Sequence, residues 1–93
     1  MELQNRAITL RRNEDLLTSE VGDDLVMMSI QDGKYFAMNR TGSYIWNILE
    51  NQMPYNELCE KLSTTFQIPI SQCLEDVDPF IEELIRERII LSE

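Results

Sequence analysis

Residues 32–50 read D-G-K-Y-F-A-M-N-R-T-G-S-Y-I-W-N-I-L-E, and they join a predicted hairpin to a predicted helix. Asp32-Gly33 lies between two mainly apolar runs, residues 25–30 and residues 34–39. This arrangement favours a β-hairpin with a two-residue type I′ turn, because Asp-Gly tolerates the positive φ angles that this turn requires. The sequence therefore predicts two antiparallel strands over these runs.

A two-residue turn fixes which residues of the hairpin face each other. We expect Gln31 to pair with Lys34, and Met28 with Ala37. The pairing predicts two apolar faces, one made of Val26, Met28, Ile30, Tyr35 and Ala37 and the other of Leu25, Met27, Phe36 and Met38. A small antiparallel hairpin usually has one polar face. Either helices cover both faces, or one face is kept for a partner.

Helical spacing of apolar residues predicts three helices after the hairpin. Thr41 is the expected N-cap of the first helix, Pro54 fits the first turn of the second, and Ser71 is the expected N-cap of the third. The third pattern continues to the end of the sequence. Pro79 falls within it and lacks an N–H, so we expect either a kink there or a helix that begins near Asp78.

The residues before the hairpin complete the predicted sheet. Residues 6–11 alternate between polar and apolar and predict a short strand that pairs with residues 25–30, whereas residues 12–24 predict a loop. Residues 34–39 are then left as an edge strand without proline. The expected fold class is α+β, a single domain over residues 1–93. In it a small three-stranded antiparallel sheet is followed by three helices, in a winged-helix-like order.

Composition excludes several classes of function. The chain has 93 residues, no histidine and a net charge of −9, and 10 acids against three bases place −7 of this charge in residues 50–93. Nucleic-acid binding is not expected, because phosphate recognition needs clustered Lys and Arg. Without histidine, Cys59 and Cys73 complete neither a zinc site nor a catalytic dyad. We therefore expect buried thiols, no cofactor, no metal and no enzymatic activity.

The location of the protein is predicted from what the sequence lacks. No apolar run is long enough to cross a membrane. Residues 1–12 lack the apolar segment of a signal peptide. We therefore expect a cytoplasmic protein without a membrane partner.

Two segments resemble the signature of the PqqD family. In residues 32–50 the matching positions are Phe36, Asn39, Thr41, Gly42, Ile45 and Trp46. In the predicted third helix the matching positions are Asp76, Val77, Phe80 and Leu84. Met38 stands where the family usually has leucine, and Pro79 departs from the usual third helix. The resemblance covers about residues 8–92.

The resemblance implies a function in the biosynthesis of ribosomally made, post-translationally modified peptides. Proteins of this family bind the leader segment of a precursor peptide and present it to tailoring enzymes. A chain of this size is similar to the stand-alone recognition protein of split lasso-peptide systems. The implied partners there are a leader peptidase and an ATP-dependent cyclase. Pyrroloquinoline quinone biosynthesis, with a radical SAM partner, is the other setting that the family implies.

The implied mode of binding adds the leader as a strand on residues 34–39, with its side chains in a groove against the last helix. An exposed strand edge is what such an addition needs. The predicted peptide-binding residues are Lys34, Tyr35, Phe36, Ala37, Met38, Cys73, Leu74, Asp76, Val77, Phe80, Ile81 and Leu84. Trp46 and Phe66 are expected to lie in the core instead.

Two other functions are compatible with the sequence. A winged-helix DNA-binding regulator fits the order of the elements, although the second predicted helix offers only Lys61 against Glu57 and Glu60. A non-catalytic subunit that stabilises a modifying enzyme would use the second apolar face of the hairpin as a protein–protein interface.

Overall fold

The computed structural model describes residues 8–22 and 24–93, and these residues form six strands and three helices. In chain order the elements are β1 (Thr9–Arg12), β2 (Leu16–Val21), β3 (Asp24–Ser29), β4 (Lys34–Met38), α1 (Arg40–Ile48), β5 (Met53–Pro54), α2 (Tyr55–Phe66), α3 (Ile70–Arg86) and β6 (Ile90–Ser92). The strands form two antiparallel sheets, ordered β2-β3-β4 and β5-β1-β6. The α+β class is confirmed, with two sheets in place of the single expected one.

The strand that pairs with β3 is β2, which replaces the predicted partner. The prediction of a loop over residues 12–24 is wrong, because Leu16–Val21 pairs along its whole length with β3. All residues of β2 after Leu16 are exposed, so its polar sequence lacks the alternation that indicates a half-buried strand. β1 pairs with β5 and β6 instead. Residues 6 and 7 of the predicted first strand lie outside the described residues.

A four-residue loop closes the β3–β4 hairpin in place of the predicted two-residue turn. Ser29 pairs with Lys34, where Gln31 was the expected partner. Gly33 has a φ of 66° but Asp32 has no positive φ, whereas a type I′ turn needs positive φ at both central residues. The N–H groups of Gly33 and Asp32 donate to the carbonyl (2.8 Å) and hydroxyl (3.2 Å) oxygens of Ser29. The observed register of β3 against β4 differs from the predicted register by two residues. Because side chains alternate with a period of two, each one stays on its predicted face of the hairpin.

The two faces of the β2-β3-β4 sheet lie in different environments. The inner face joins the core through Leu25, Met27, Phe36 and Met38. α1 contacts both β3 and β4, and its Ile45 and Trp46 belong to the same core. On the outer face, Leu17 and Tyr35 flank Met28 and remain 52% and 72% exposed. One apolar face is therefore covered by the chain itself, and the other is open.

The first and third helices begin earlier than predicted. Asn39 is the N-cap of α1 in place of Thr41, and its Oδ1 accepts a hydrogen bond from the N–H of Gly42 at 2.8 Å. Pro69 occupies the N-cap position of α3 in place of Ser71, without a side-chain cap. Its fixed φ suits a helix start, where no partner exists for the missing N–H.

α3 is a single helix that runs through Pro79. A start near Asp78 is therefore wrong. Pro79 removes the helical donor for the carbonyl of Glu75, and both residues are exposed to solvent. The helix ends at Arg86, and Arg88 takes a φ of 59°, so the apolar residues that follow form β6 and do not extend the helix.

The last residue of β1, Arg12, is fixed to α1, and the next residue, Asn13, is fixed to the turn before β6. Arg12 Nε donates to the carbonyl of Trp46 at 2.8 Å, and the guanidinium carbon lies 4.9 Å from the centre of the Trp46 ring. Asn13 Nδ2 donates to the carbonyl of Arg88 at 2.7 Å. The N–H of Asn13 donates to the carbonyl of Ile89 at 3.1 Å. These bonds hold the end of β1 against α1 and against the turn that follows α3.

β1 also joins residues from opposite ends of the described chain. Thr9 and Glu93 exchange two backbone hydrogen bonds, of 3.2 and 2.8 Å. Arg11 Nε lies 2.7 Å from Glu93 Oε1 in an exposed ion pair. β6 follows α3 closely, so this pairing also anchors the end of α3.

Candidate functional site

β4 is an edge strand with backbone groups directed away from its sheet. Among the described strands only β3 pairs with it. Val21 pairs with Asp24 across two intervening residues, and the pair that closes such a hairpin exchanges both of its backbone hydrogen bonds. Because antiparallel pairs alternate, the N–H and C=O groups of Tyr35 and Ala37 then point away from β3. The free edge can accept another strand.

α3 runs beside β4 in the opposite direction. At the start of β4, Lys34 Nζ lies 3.8 Å from Glu87 Oε2, just after the end of α3. At the end of β4, Met38 and Phe80 converge on Gly42, where a Cβ atom would lie 3.0 Å from Met38 Sδ and 3.3 Å from Phe80 Cζ. Glycine at this position lets both side chains approach the backbone of α1. We call the space between the two elements the β4–α3 groove.

A cavity of about 290 Å³ lies at the end of the β4–α3 groove where β4 leads into α1. It is lined by Asn39, Thr41, Leu62, Phe66, Ile68, Cys73, Asp76, Val77 and Phe80. The lining is mainly apolar, and Asp76 is its one charged member. A mainly apolar concave site with a few polar groups is typical of a ligand-binding site.

The structure brings part of the predicted site together at this cavity. Four predicted residues line it, namely Cys73, Asp76, Val77 and Phe80. Met38 is buried beside it through its approach to Gly42. Lys34 lies at the opposite end of the groove.

The remaining predicted residues have other positions. The side chains of Tyr35 and Ala37 lie on the outer face with Met28 and Val26, so only their backbone lies at the edge of the groove. The others are buried in the core or packed against it, and these are Phe36, Leu74, Ile81 and Leu84. They support the walls of the groove from behind.

Five cavity residues lie outside the predicted set, namely Asn39, Thr41, Leu62, Phe66 and Ile68. Asn39 and Thr41 belong to the family signature, which was a usable signal. Phe66 was expected in the core but is half-buried at the cavity wall, with its ring edge-on to Tyr44 at 5.5 Å between centroids. Trp46 is buried as expected.

Two buried ionisable side chains near the cavity, Tyr55 and Cys73, favour their neutral forms. Tyr55 is fully buried and its hydroxyl donates to Asp78; burial first, and then this hydrogen bond, raise the pKa of Tyr55 above its ordinary value. Burial, helped by the charges of Asp76 and Asp78, also raises the pKa of the Cys73 thiol. Cys73 Sγ donates to the carbonyl of Cys59 at 3.7 Å. A protonated thiol is a poor nucleophile.

Two further features were sought in residues 8–22 and 24–93. No cluster of His, Cys, Asp and Glu there suits a metal ion. No helix in the same ranges is long and apolar enough to cross a membrane.

The fold matches a solved structure, and the sequence matches a family profile. The solved structure "TbiB1 in Complex with the TbiA(beta) Leader Peptide" matches with a TM-score of 0.75 at 20% identity, over 86% of this chain and 93% of that chain. At this identity the match shows a common fold. No curated protein sequence matches the chain. The sequence profile of coenzyme PQQ synthesis protein D (PqqD) matches residues 24–90. This range covers most of the chain, including β4, α3 and every cavity-lining residue, and the chain therefore belongs to the PqqD family.

Proposed function

We propose that this chain binds the leader segment of a ribosomally made, post-translationally modified precursor peptide. The observation that carries the proposal is the β4–α3 groove, in which an open strand edge runs beside a helix and ends in an apolar cavity. Extended peptides bind such edges by strand addition. Membership of the PqqD family and the fold shared with TbiB1, which is described in complex with a leader peptide, support this function.

In the proposed complex the leader lies beside β4 as a fourth strand of its sheet. Tyr35 and Ala37 exchange backbone hydrogen bonds with it, and these bonds set the register for any peptide sequence. Every second side chain of the leader points toward α3, where Val77 and Phe80 offer apolar surface. Main-chain bonds thus provide affinity, and the cavity provides side-chain selection.

The predicted site residues divide into two groups under this proposal. Lys34, Tyr35, Ala37, Asp76, Val77 and Phe80 would contact the leader directly. The residues that would support the groove walls are Phe36, Met38, Cys73, which is fully buried, Leu74, Ile81 and Leu84. Recognition of this kind requires no catalytic group, and we propose that the chain itself is not an enzyme.

Anisotropy of a fluorescent leader peptide, taken from the precursor made with this protein, tests the proposal. We expect saturable binding near 1 μM, equivalent to about −8 kcal/mol. Ala37→Pro removes an outward N–H, and edge strands tolerate proline. Loss of this hydrogen bond, about 1 kcal/mol or somewhat more, should weaken binding roughly fivefold to tenfold. Ala37→Val, which keeps the N–H, is the matched control. Full binding by folded Ala37→Pro would exclude strand addition at this edge.

We further propose that the bound leader is delivered to a leader peptidase and an ATP-dependent cyclase, as in lasso-peptide biosynthesis. The outer face of the β2-β3-β4 sheet supports a docking role, because Leu17 and Tyr35 expose apolar surface beside the peptide edge. Leu17→Ser with Tyr35→Ser changes only side chains of the outer face and keeps the backbone N–H and C=O of residue 35, so it should retain leader binding but reduce co-purification with the peptidase. Ile70→Ser, which changes an exposed residue outside this face, should leave both leader binding and co-purification with the peptidase unchanged. Equal processing of the precursor without this chain would contradict delivery.

The same outer face also favours a second candidate, a non-catalytic subunit that stabilises a modifying enzyme. The two candidates differ in one outcome. A stabilising subunit is needed even when the enzyme acts on a core peptide without its leader, whereas a recognition protein is needed only when the leader is present.

A further inference from the structure

One stripe of α3 borders the β4–α3 groove along its length. Asp76 and Phe80 line the cavity, and Glu87 meets Lys34 at the far end. These positions and Glu83 are separated by four, three and four residues, which is the spacing of one helix face. Glu83 is exposed and lies on this stripe between Phe80 and Glu87. The groove wall therefore carries three carboxylates around one aromatic ring.

Most of this negative charge is not compensated by the residues that the structure describes. Lys34 is the one basic residue of β4 and lies near Glu87. Within residues 8–22 and 24–93, neither Asp76 nor Glu83 has an ion-pair partner. A strand bound in this groove would therefore place its side chains against two free carboxylates.

The axial positions of these carboxylates match the repeat of an extended peptide. The cavity lies level with Asp76 and Phe80, and Glu83 follows the midpoint of these two residues by five positions, or about 7.5 Å of helix. Glu87 follows that midpoint by nine positions, or about 13.5 Å. Side chains on one face of a strand repeat about every 7 Å. If one peptide side chain fills the cavity, the next on that face reaches Glu83 and the third reaches the Lys34–Glu87 pair.

We propose that the groove selects peptides with the pattern basic–x–apolar–x–basic, in which the apolar side chain fills the cavity. One basic side chain pairs with Glu83. The other lies about 7 Å away on the opposite side of the cavity residue, and its long side chain reaches back to Asp76, which is two positions, or about 3 Å of helix, before the midpoint. The pattern reads the same in both directions, so it does not depend on the direction of the bound strand. The inference rests on the proposed peptide binding and makes Asp76 and Glu83 the residues that determine charge specificity.

Selection from a displayed library of random 12-residue peptides tests this inference without a known leader. On the wild-type protein we expect Lys and Arg to be enriched threefold to fivefold at positions two residues before and after the apolar position; fivefold corresponds to about 1 kcal/mol, the upper range for an exposed ion pair. On Asp76→Lys with Glu83→Lys, the preference should change to Asp and Glu at the same positions.

A charge-matched control separates the stripe from the overall charge of the protein. Glu75 is exposed on α3 next to Asp76 but lies off the stripe, so Glu75→Lys should keep the wild-type preference. Circular dichroism and urea unfolding establish that each variant is folded.

The remaining outcomes overturn one proposal or both. Enriched peptides with an apolar anchor but no charge preference would overturn this inference and leave peptide binding intact. A preference lost equally in Glu75→Lys would also overturn it, because bulk charge would then suffice. The absence of any enriched peptide on folded wild-type protein would overturn peptide binding itself.

Discussion

Lys34 Nζ and Glu87 Oε2 lie 3.8 Å apart at the far end of the β4–α3 groove, with side chains 59% and 35% exposed. An ion pair this long and this accessible to water contributes little to folding. We expect Lys34→Gln to change the free energy of unfolding by less than about 0.5 kcal/mol. Urea unfolding measures this change in free energy, and Lys61→Gln on α2 is the control for the lost surface charge. A loss well beyond that of the control would show that the pair holds the groove together.

Gly42 sets how closely β4 and α3 approach α1. Gly42→Ala gains up to about 1 kcal/mol in helix propensity, but its Cβ would lie 3.0 Å from Met38 Sδ and 3.3 Å from Phe80 Cζ. Overpacking of this kind typically costs about 1–3 kcal/mol, so we expect net destabilisation by about 1 kcal/mol and weaker peptide binding as Phe80 moves. Asn47→Ala, on an exposed position of the same helix, is the control. A more stable variant with unchanged binding would show that Met38 can move aside.

Arg12 combines a hydrogen bond and a stacking contact on Trp46. Lysine cannot reproduce the planar guanidinium, so the stacking and the directed Nε–H bond are both weakened. We expect Arg12→Lys to lower the free energy of unfolding by about 1–2 kcal/mol. Trp46 is the single tryptophan, and its fluorescence follows unfolding directly. Arg11→Lys, which alters an exposed ion pair, should change stability by less than half as much.

Alkaline pH should destabilise the protein through Tyr55 and Cys73. Burial raises the pKa of both groups above their ordinary values of 10.0 and 9.0. Their contribution to stability is therefore complete below about pH 9 and falls as the unfolded chain ionises above it, by up to about 1.4 kcal/mol per pH unit for each group. Tyr55→Phe should reduce this slope between pH 9.5 and 11, measured by urea unfolding. Tyr35→Phe is the control, and equal slopes for the two variants would contradict the assignment.

The local parts of the fold could be predicted from the sequence. Asp32-Gly33 between apolar runs indicated the hairpin and its open edge, even though Asp32 does not take the positive φ of the expected turn. β2 escaped prediction because its residues after Leu16 are exposed and show no apolar alternation. β6 was not predicted because Ile89, the residue directly before it, continues the helical spacing of α3. What ends that helix is the turn at Arg88 and pairing with β1, a contact between distant segments.

The candidate site could be predicted only where it depends on local sequence patterns. Cys73, Val77 and Phe80 share one face of a helix, so their neighbourhood follows from helical spacing. Phe66 reaches the cavity only because α2 and α3 pack together. In its own helix Phe66 has the spacing of a core residue, and nothing in the local pattern distinguishes a cavity wall from a filled core.

The pairing of β1 with β6 has a consequence for how the molecule folds. The β2-β3-β4 sheet is a meander of neighbouring segments, whereas Arg11 and Glu93 are 82 residues apart. Sheets of high contact order form slowly, because closure of a long loop comes before any gain from the contacts. The strand edge should therefore form early, and α3 should be held in place only once β6 has paired. Pulsed amide hydrogen exchange during refolding should therefore show protection of the β3 amides before those of β1 and β6. A change that weakens the β5-β1-β6 sheet would then widen the β4–α3 groove without altering any residue that lines it.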